Sequence, residues 1–530
     1  MVLSFDENFN VTWADPADAE SIWAIDRVHF AHPVTPLGED IYRVLIERSW
    51  EKRVVFVNGY AYMKDFAPPP TPPEVRERGP AKVWREEYLP VVREICARLR
   101  GRDYESMTTA ELAALLPQVF EEVAAAFRYP TVVASALMEP GLMLAAFCDR
   151  EIGSEGAVLA ATLLQGFANA SAAAGLGLGE LAALAAATPE LAQALREGRY
   201  HDLASLPGGA EFLQRFEGFL QEYGWRAEEW CLIHLPTWAE RPETALMLVR
   251  RYLEDPSRSP LMSARRAAAQ REEAAATIEA RLSPEQRQRF REMLARASEH
   301  VPISEERALW QLLGIGSGRV PLLALGRKLA SAGVFPEPDD VFFLRLEELQ
   351  TLARRPRSCR EMVAERRALH EHRRGLRPPD SIARPLVVEE RPLPSQIAHR
   401  YFFGTLAPPS EERVVRGSPA SQGVASGRAR VIQSLSEAGR LKPGEVLVCR
   451  STAPPWTPLF AIAAAVVTDV GGILSHSAIC AREYAIPCVV GTRVGTAMIP
   501  DGALVTVDGT AGTVTIAAQA GVEGEATAQS

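Results

Sequence analysis

Hydrophobic and polar positions follow two rhythms along this chain, and the change between them divides it. From about residue 80 to 375 apolar residues recur at helical spacing. Leu112, Leu115, Leu116, Val119, Phe120 and Val123 follow Thr108-Thr109-Ala110-Glu111, which reads as a capping-box-like helix start. Asp255-Pro256 and Ser283-Pro284-Glu285 punctuate further helices, the latter an N-cap with proline in the first turn. Residues 264–281 are charged and alanine-rich and predict a long exposed helix. The most apolar tract, 156–195, is broken by Gln165, Asn169, Gly175, Gly177, Gly179 and Glu180, so it reads as buried helix and not as a membrane span.

After about residue 410 the rhythm shortens. Apolar runs at 424–432, 446–449, 464–468, 488–491, 504–507 and 513–516 alternate with glycine turns and predict strands. Residues 1–75 read as irregular, except that Arg53-Val54-Val55-Phe56-Val57 meets Asn58-Gly59 and continues as Tyr60-Ala61-Tyr62, a hairpin signal. Pro33 and Pro36 forbid a continuous helix through that region. Residues 376–412 are rich in proline and arginine and read as a semi-rigid linker. The expected organisation is multidomain: a mostly helical body (1–375), the linker (376–412), a small α/β domain (413–518) and a flexible tail (519–530).

Composition narrows the class. The 530 residues are 47% hydrophobic with a net charge of −9, which argues against nucleic acid or an anionic membrane as the main partner. Seven cysteines without a Cys-x-x-Cys indicate neither a disulfide framework nor a zinc site, and no metal site is expected. The N-terminus lacks a signal-peptide pattern, so a reducing, cytoplasmic setting is expected. No Gly-x-x-x-x-Gly-Lys-Ser/Thr occurs.

The chemistry concentrates near the C-terminus. An apolar run at 459–467 leads into Gly471-Gly472, then Ser475-His476, then a short helical pattern with Ala478, Ile479 and Ala481. A histidine at a strand–loop–helix junction sits where free helix N–H groups favour an anion. Imidazole is a good nucleophile with an ordinary pKa near neutrality. Gly471 and Gly472 permit close backbone approach, and Ser475 and Thr468 offer hydroxyl donors. In the body, His29, His32, His234, Trp238 and Arg226 are candidates for a binding pocket, with one of the first two as a general base for a hydroxyl. Each has a plainer alternative: a hydrogen-bonded loop histidine, a core aromatic, a surface ion pair.

The C-terminal residues resemble the phosphohistidine (swivelling) domain of the PEP-utilising enzymes. The match runs through Gly417-Ser418-Pro419-Ala420-Ser421-Gln422-Gly423, Pro454-Pro455-Trp456-Thr457-Pro458-Leu459-Phe460, the Gly471-Gly472 loop with Ser475-His476, Ala481-Arg482-Glu483-Tyr484-Ala485-Ile486-Pro487, and Val507-Asp508-Gly509-Thr510-Ala511-Gly512. The body resembles, through weaker motifs, the acceptor-binding region of phenylphosphate synthase and rifampicin phosphotransferase.

The resemblance implies that His476 is phosphorylated and carries the phosphoryl group between two sites, with ATP converted to AMP and phosphate. It further implies Mg2+ and ATP bound by a separate ATP-grasp subunit, since the chain opens directly in acceptor-region sequence. A small hydroxylated, phenolic substrate is the expected acceptor. A larger natural-product or antibiotic hydroxyl is the second reading, and a phosphohistidine signalling or scaffold protein the third.

Overall fold

The computed structural model of the chain describes residues 2–387 and 413–517, apart from 28, 66–68, 165, 166, 168, 169, 228, 256–259 and 474. The tail and the greater part of the expected linker lie outside the described residues.

Two long helices, Thr109–Ile152 and Pro284–Ser331, form the spine of the body. Each opens on a capping box, Thr108 with Glu111 and Ser283 with Gln286, which satisfies N–H groups that the helix itself leaves free. Both are apolar and long enough to cross a bilayer. Here they pack on each other and on the helices Pro36–Ser49 and Leu89–Gly101, burying Leu116, Phe120, Phe127, Leu312 and Leu322 in one core. Glycine sets how closely elements approach. A Cβ on Gly314 would fall 2.9 Å from the Ala126 Cβ, and one on Gly316 only 1.8 Å from the Trp225 carbonyl oxygen. The Pro284–Ser331 helix therefore touches, backbone to backbone, the irregular segment that begins at Trp225.

Residues 1–75 are more ordered than their sequence predicts. β1 (Val2–Phe5) pairs with β2 (Val11–Trp13), and β3 (Ile22–Ile25) joins the hairpin of β4 (Val54–Val57) and β5 (Tyr60–Lys64). Asn58 and Gly59 have φ of 50° and 79°, as a two-residue hairpin turn requires. The prolines fall in connections or open helices: Pro36 is the first residue of Pro36–Ser49, capped by Thr35. β3, β4 and β5 are short and buried on both faces, so they lack the alternation that reveals a strand. The same sheet corrects the start of the linker. Ser381–Ala383 forms β6 beside β3, and the Tyr60 and Tyr62 hydroxyls donate to the Leu376 and Pro379 carbonyls. Residues 376–383 thus belong to the body, held by partners more than 300 residues away.

The C-terminal domain is one sheet of eight strands in the order β7-β14-β13-β9-β10-β11-β12-β8. These are β7 (Val414–Arg416), β8 (Ser418–Ser421), β9 (Val424–Val431), β10 (Val446–Cys449), β11 (Ala465–Thr468), β12 (Cys488–Val490), β13 (Leu504–Asp508) and β14 (Thr513–Ile516). β9 to β12 run parallel. The expected helical body and small α/β domain are the observed architecture. Two edge strands, β7 and β8, escaped the sequence reading because each is short and β8 contains Pro419, which an edge tolerates. The 459–467 run is not one strand: Pro458 lies in the helical turn Thr457–Phe460, and β11 starts only at Ala465.

A second core is shared between body and C-terminal domain. Phe219, Trp238, Leu246 and Tyr252 of the body pack in one cluster with Leu459, Phe460, Ala478 and Tyr484. Three arginines tie the rim: Arg251 donates to the Leu441 carbonyl, Arg374 to the Gln433 carbonyl, and Arg450 lies over the Tyr60 ring.

Candidate active site around His476

β10 and β11 are parallel neighbours, so the loops leaving their C-terminal ends lie side by side, where α/β sheets commonly build sites. β10 leads into Arg450, Ser451 and Thr452. β11 leads into Asp469, the glycine turn and the helix His476–Glu483, of which His476 is the first residue and Ser475 the N-cap.

The loop is anchored below the histidine. The Asp469 carboxylate accepts from the Thr492 hydroxyl at 3.0 Å, the Thr496 N–H at 3.0 Å and the Thr496 hydroxyl. Gly471 has φ of 120°, and a Cβ there would sit 2.7 Å from Ser475 Oγ. The Gly472 carbonyl accepts the Ser475 N–H at 2.9 Å. Both glycines therefore shape the turn that presents Ser475 and His476.

The His476 ring is held at both nitrogens. Nδ1 lies 2.9 Å from Thr452 Oγ1, which lies 2.8 Å from Ser477 Oγ. Nε2 faces Thr457 Oγ1 at 3.2 Å and Cys480 Sγ at 3.3 Å. Phe460 meets the ring edge-on. Part of the residue still reaches solvent, but this enclosure and then the charge of Arg226 lower the imidazole pKa to about 3. The ring is neutral at physiological pH. In the tautomer with the proton on Nδ1, that N–H donates to Thr452 and Nε2 keeps its lone pair. Burial raises the Cys480 thiol well above its ordinary value, so it stays protonated and acts as a donor to the ring, not as a nucleophile.

The other residues expected around His476 divide. Ser475 makes no capping bond, and its Oγ is buried without a partner among the described residues. Thr468 is fully buried and its hydroxyl donates to the Val470 carbonyl at 2.9 Å, so it holds the loop and is not available to a phosphate. Thr452, Thr457, Ser477 and Cys480 were not assigned a role at His476 from sequence. Cys480 had a signal, because a helical residue four after His476 shares its face. Thr457 lies in the matched Pro-Pro-Trp-Thr-Pro run without an indication of its direction. Arg482 has no carboxylate partner among the described residues. It donates to the Ala420 carbonyl at 2.6 Å and ties the helix to β8.

The five body candidates fall in three places. Arg226 is within electrostatic reach of His476, and its guanidinium stacks 5.4 Å over the ring of Trp238, a member of the shared core. His32 and His234 join His370, Glu229 and Arg374 around a cavity of about 30 Å³, closed on the other side by Gln433 and Ser434 of the C-terminal domain. His234 also lines an open cleft of about 590 Å³ with Arg241, Asp339, Asp340 and Arg367. His29 sits elsewhere. Its Nδ1 is 2.6 Å from the buried Asp26 carboxylate, and Trp50, Phe127 and Trp230 surround its ring at 5.3–5.8 Å. One irregular segment, 225–240, visits all three. It is pinned to the body by Ala227 N–H to the Leu312 carbonyl, by the Tyr42 hydroxyl and by Arg319. Among the described residues no group of His, Cys, Asp or Glu is arranged to hold a metal ion.

Comparison with known proteins agrees with this layout. Residues 441–512 match the family model for the mobile domain of PEP-utilising enzymes, and 128–305 match that for the fourth domain of rifampicin phosphotransferase. The chain thus contains a mobile domain of the kind found in PEP-utilising enzymes. It is 29% identical over 559 residues to chondramide synthase cmdD of Chondromyces crocatus, covering 96% of this chain and 14% of that protein. It is 29% identical over 428 residues to the rifampicin phosphotransferase of Streptomyces sviceus (78% of this chain, 48% of that one). To the uncharacterised phosphotransferase YvkC of Bacillus subtilis it is 30% identical over 311 residues (58% and 37%). The chain thus spans at most about half the length of these relatives.

The mobile domain is docked on the body across titratable groups. His32 and His234 are pushed well below the ordinary histidine range and His370 to about 4, in each case first by burial. His32 also feels Arg450 of the mobile domain, then Arg374 and His370; His234 feels His370, Arg319 and Arg374; His370 feels Arg374, Glu371, Arg373 and Arg367. Groups held neutral by docking stabilise it fully above their free pKa of about 6.5, and this stability is lost as pH falls towards the docked values. Docking is therefore predicted to weaken below about pH 6.5, by up to roughly 1.4 kcal/mol per pH unit for each histidine that opens to water. Small-angle scattering between pH 8 and pH 5 reads this as an expansion, and His370→Gln makes it shallower.

Proposed function

We propose that this chain is the phosphohistidine carrier and acceptor-binding component of an ATP-dependent phosphotransferase of the dikinase type. The observation that carries this reading is the His476 ring at a helix start, with Nδ1 against Thr452, Nε2 against Thr457 and Cys480, and an unpaired Ser475 hydroxyl beside it among the described residues. A separate ATP-grasp subunit holding Mg2+ and ATP phosphorylates Nε2, and ATP leaves as AMP and phosphate. Helix N–H groups and Ser475 Oγ then stabilise the phosphoryl oxygens. Docking on the body shields the labile N–P bond from water and presents it to the acceptor. All seven cysteines are free thiols, which supports a reducing cytoplasmic setting.

The acceptor is a small aromatic alcohol, most simply a phenol. His29 supports this choice: a buried carboxylate orients Nδ1–H, and three aromatic rings surround the imidazole. In this reading Nε2 of His29 takes the acceptor's hydroxyl proton. Asp26→Asn is expected to slow transfer from phosphorylated His476 to the acceptor by about 10²-fold or more, measured by single turnover of preloaded protein. The second reading, a larger natural-product hydroxyl, is favoured by the rifampicin phosphotransferase likeness and by the 590 Å³ cleft beside His234.

The test uses ATP labelled at the β or the γ phosphate, with and without an ATP-grasp partner, followed by a panel of phenols and of ansamycin-type hydroxyls. Acid-labile, base-stable label on His476 that passes to one class of acceptor supports the reading and chooses between the two. Label that never leaves the protein favours a signalling or scaffold role. Efficient labelling without a partner overturns the separate-subunit part.

A further inference from the structure

Arg226 is 1% exposed, yet it forms no ion pair among the described residues. Its Nε donates to the Tyr223 carbonyl at 3.1 Å, and its guanidinium is sandwiched at 5.5 Å from the Tyr223 ring and 5.4 Å from the Trp238 ring. Its Nη2 is buried and has no hydrogen-bond partner among the described residues. Burial lowers its pKa only to about 10, so it remains a cation at neutral pH. A buried cation without a counter-charge is costly, and proteins retain such a group where an anion arrives.

The neighbourhood shows which anion. The Trp238 platform packs in the same buried cluster as Phe460, Ala478 and Cys480 of the mobile domain, and Phe460 and Cys480 themselves touch the His476 ring. Further buried donors without a partner are close in chain to these residues: Ser475 Oγ before His476, Trp456 Nε1 before Thr457, and Trp238 Nε1 itself. Trp238 and Trp456 share that cluster, and the Arg226 cation is within electrostatic reach of His476, so the region combines donors with positive charge. It matches a dianionic phosphoryl group, supplied by the mobile domain.

We propose that Arg226 is the body's phosphoryl clamp: when phosphorylated His476 docks, Nη2 of Arg226 donates to a phosphoryl oxygen and holds the group through transfer. This rests on the carrier reading above. In the transfer step the Nε2–P bond breaks and the acceptor O–P bond forms. The N–P electron pair stays on the imidazole, which is left neutral, and the acceptor's hydroxyl proton goes to the base of the acceptor site. Arg226 gives no proton; it offers fixed charge where the negative charge shifts. The assignment has a consequence for direction. The charged carrier docks more tightly than the discharged one, so delivery itself loosens the domain for its next cycle.

The experiment loads the full chain at His476 with potassium phosphoramidate, which needs neither ATP nor a partner, and compares wild type, Arg226→Lys and Arg226→Gln at equal loading. Hydrogen exchange in 223–240 and 452–460 reads docking. Phosphorylation is expected to slow exchange there at least tenfold in wild type, less in the lysine variant and not in the glutamine variant. A glutamine variant that tightens on phosphorylation as wild type does overturns the clamp. A second readout guards against simple misfolding: NMR titration of unphosphorylated His476 gives a higher pKa in Arg226→Gln than in wild type or Arg226→Lys. An unchanged His476 pKa in a folded glutamine variant also overturns it. If His476 takes no phosphate in any of the three, the carrier reading itself falls, and this assignment with it.

Discussion

On the carrier reading, His476→Asn is expected to abolish phosphoryl transfer while leaving the mobile domain folded. The asparagine amide reaches the position of Nδ1 and keeps a hydrogen bond to Thr452, so the link to Ser477 survives. What disappears is Nε2, the nitrogen that the carrier reading makes the nucleophile. Loss of the edge contact to Phe460 leaves a small gap, and the effect on stability stays within about 1–2 kcal/mol. Removal of a covalent nucleophile has no such graded outcome: the rate falls at least about 10⁴-fold. The pair of measurements is the acid-labile label per chain and the thermal midpoint. Label on the asparagine variant near the wild-type level, with an unchanged midpoint, would place the phosphoryl group on another residue.

Gly316→Ala is the second large effect, and it acts far from the chemistry. In an exposed helix this change stabilises by up to about 1 kcal/mol. At Gly316 the added Cβ would lie 1.8 Å from the Trp225 carbonyl oxygen and 3.2 Å from the Ala227 nitrogen. Neither is the end of a flexible side chain, so either the Pro284–Ser331 helix or the segment at 225–227 must move. The helix is held by its packing against Thr109–Ile152, and the segment by the bond from Ala227 N–H to the Leu312 carbonyl. Overpacking against backbone is expected to destabilise by about 3 kcal/mol. The displaced segment carries Arg226, so transfer from loaded His476 slows as well. Gly218→Ala is the control: it lies in the helix Gly209–Tyr223 with nothing within 4 Å of its added Cβ, and it should raise the thermal midpoint slightly. Denaturant unfolding of both variants checks the opposite signs.

Much of the local structure can be read from neighbouring residues. The caps at Thr108 and Ser283 and the Asn58-Gly59 turn rest on contacts within a few positions, and the six inner strands of the mobile domain show as local apolar runs. The position of His476 at a helix start belongs to the same class. The reading failed where partners are remote. Residues 376–383 read as linker because their proline content is local, whereas the tyrosines that accept them into the body sheet come from β5. Thr468 read as a donor to phosphate because its place beside the glycine loop is visible, but its rotamer is not.

The sequence by itself determined the two-part plan, the small α/β domain and the place of His476 at a helix start, because these follow from periodicity, turn residues and caps. Only the tertiary structure decided what surrounds that histidine. Periodicity says which face of an element is buried but not what it is buried against. Thr452 meets His476 because β10 and β11 are parallel neighbours. Arg226, read most simply as a helix-surface ion pair, is a buried cation within electrostatic reach of His476, stacked on Trp238, which shares a core with Phe460 and Ala478 across two domains.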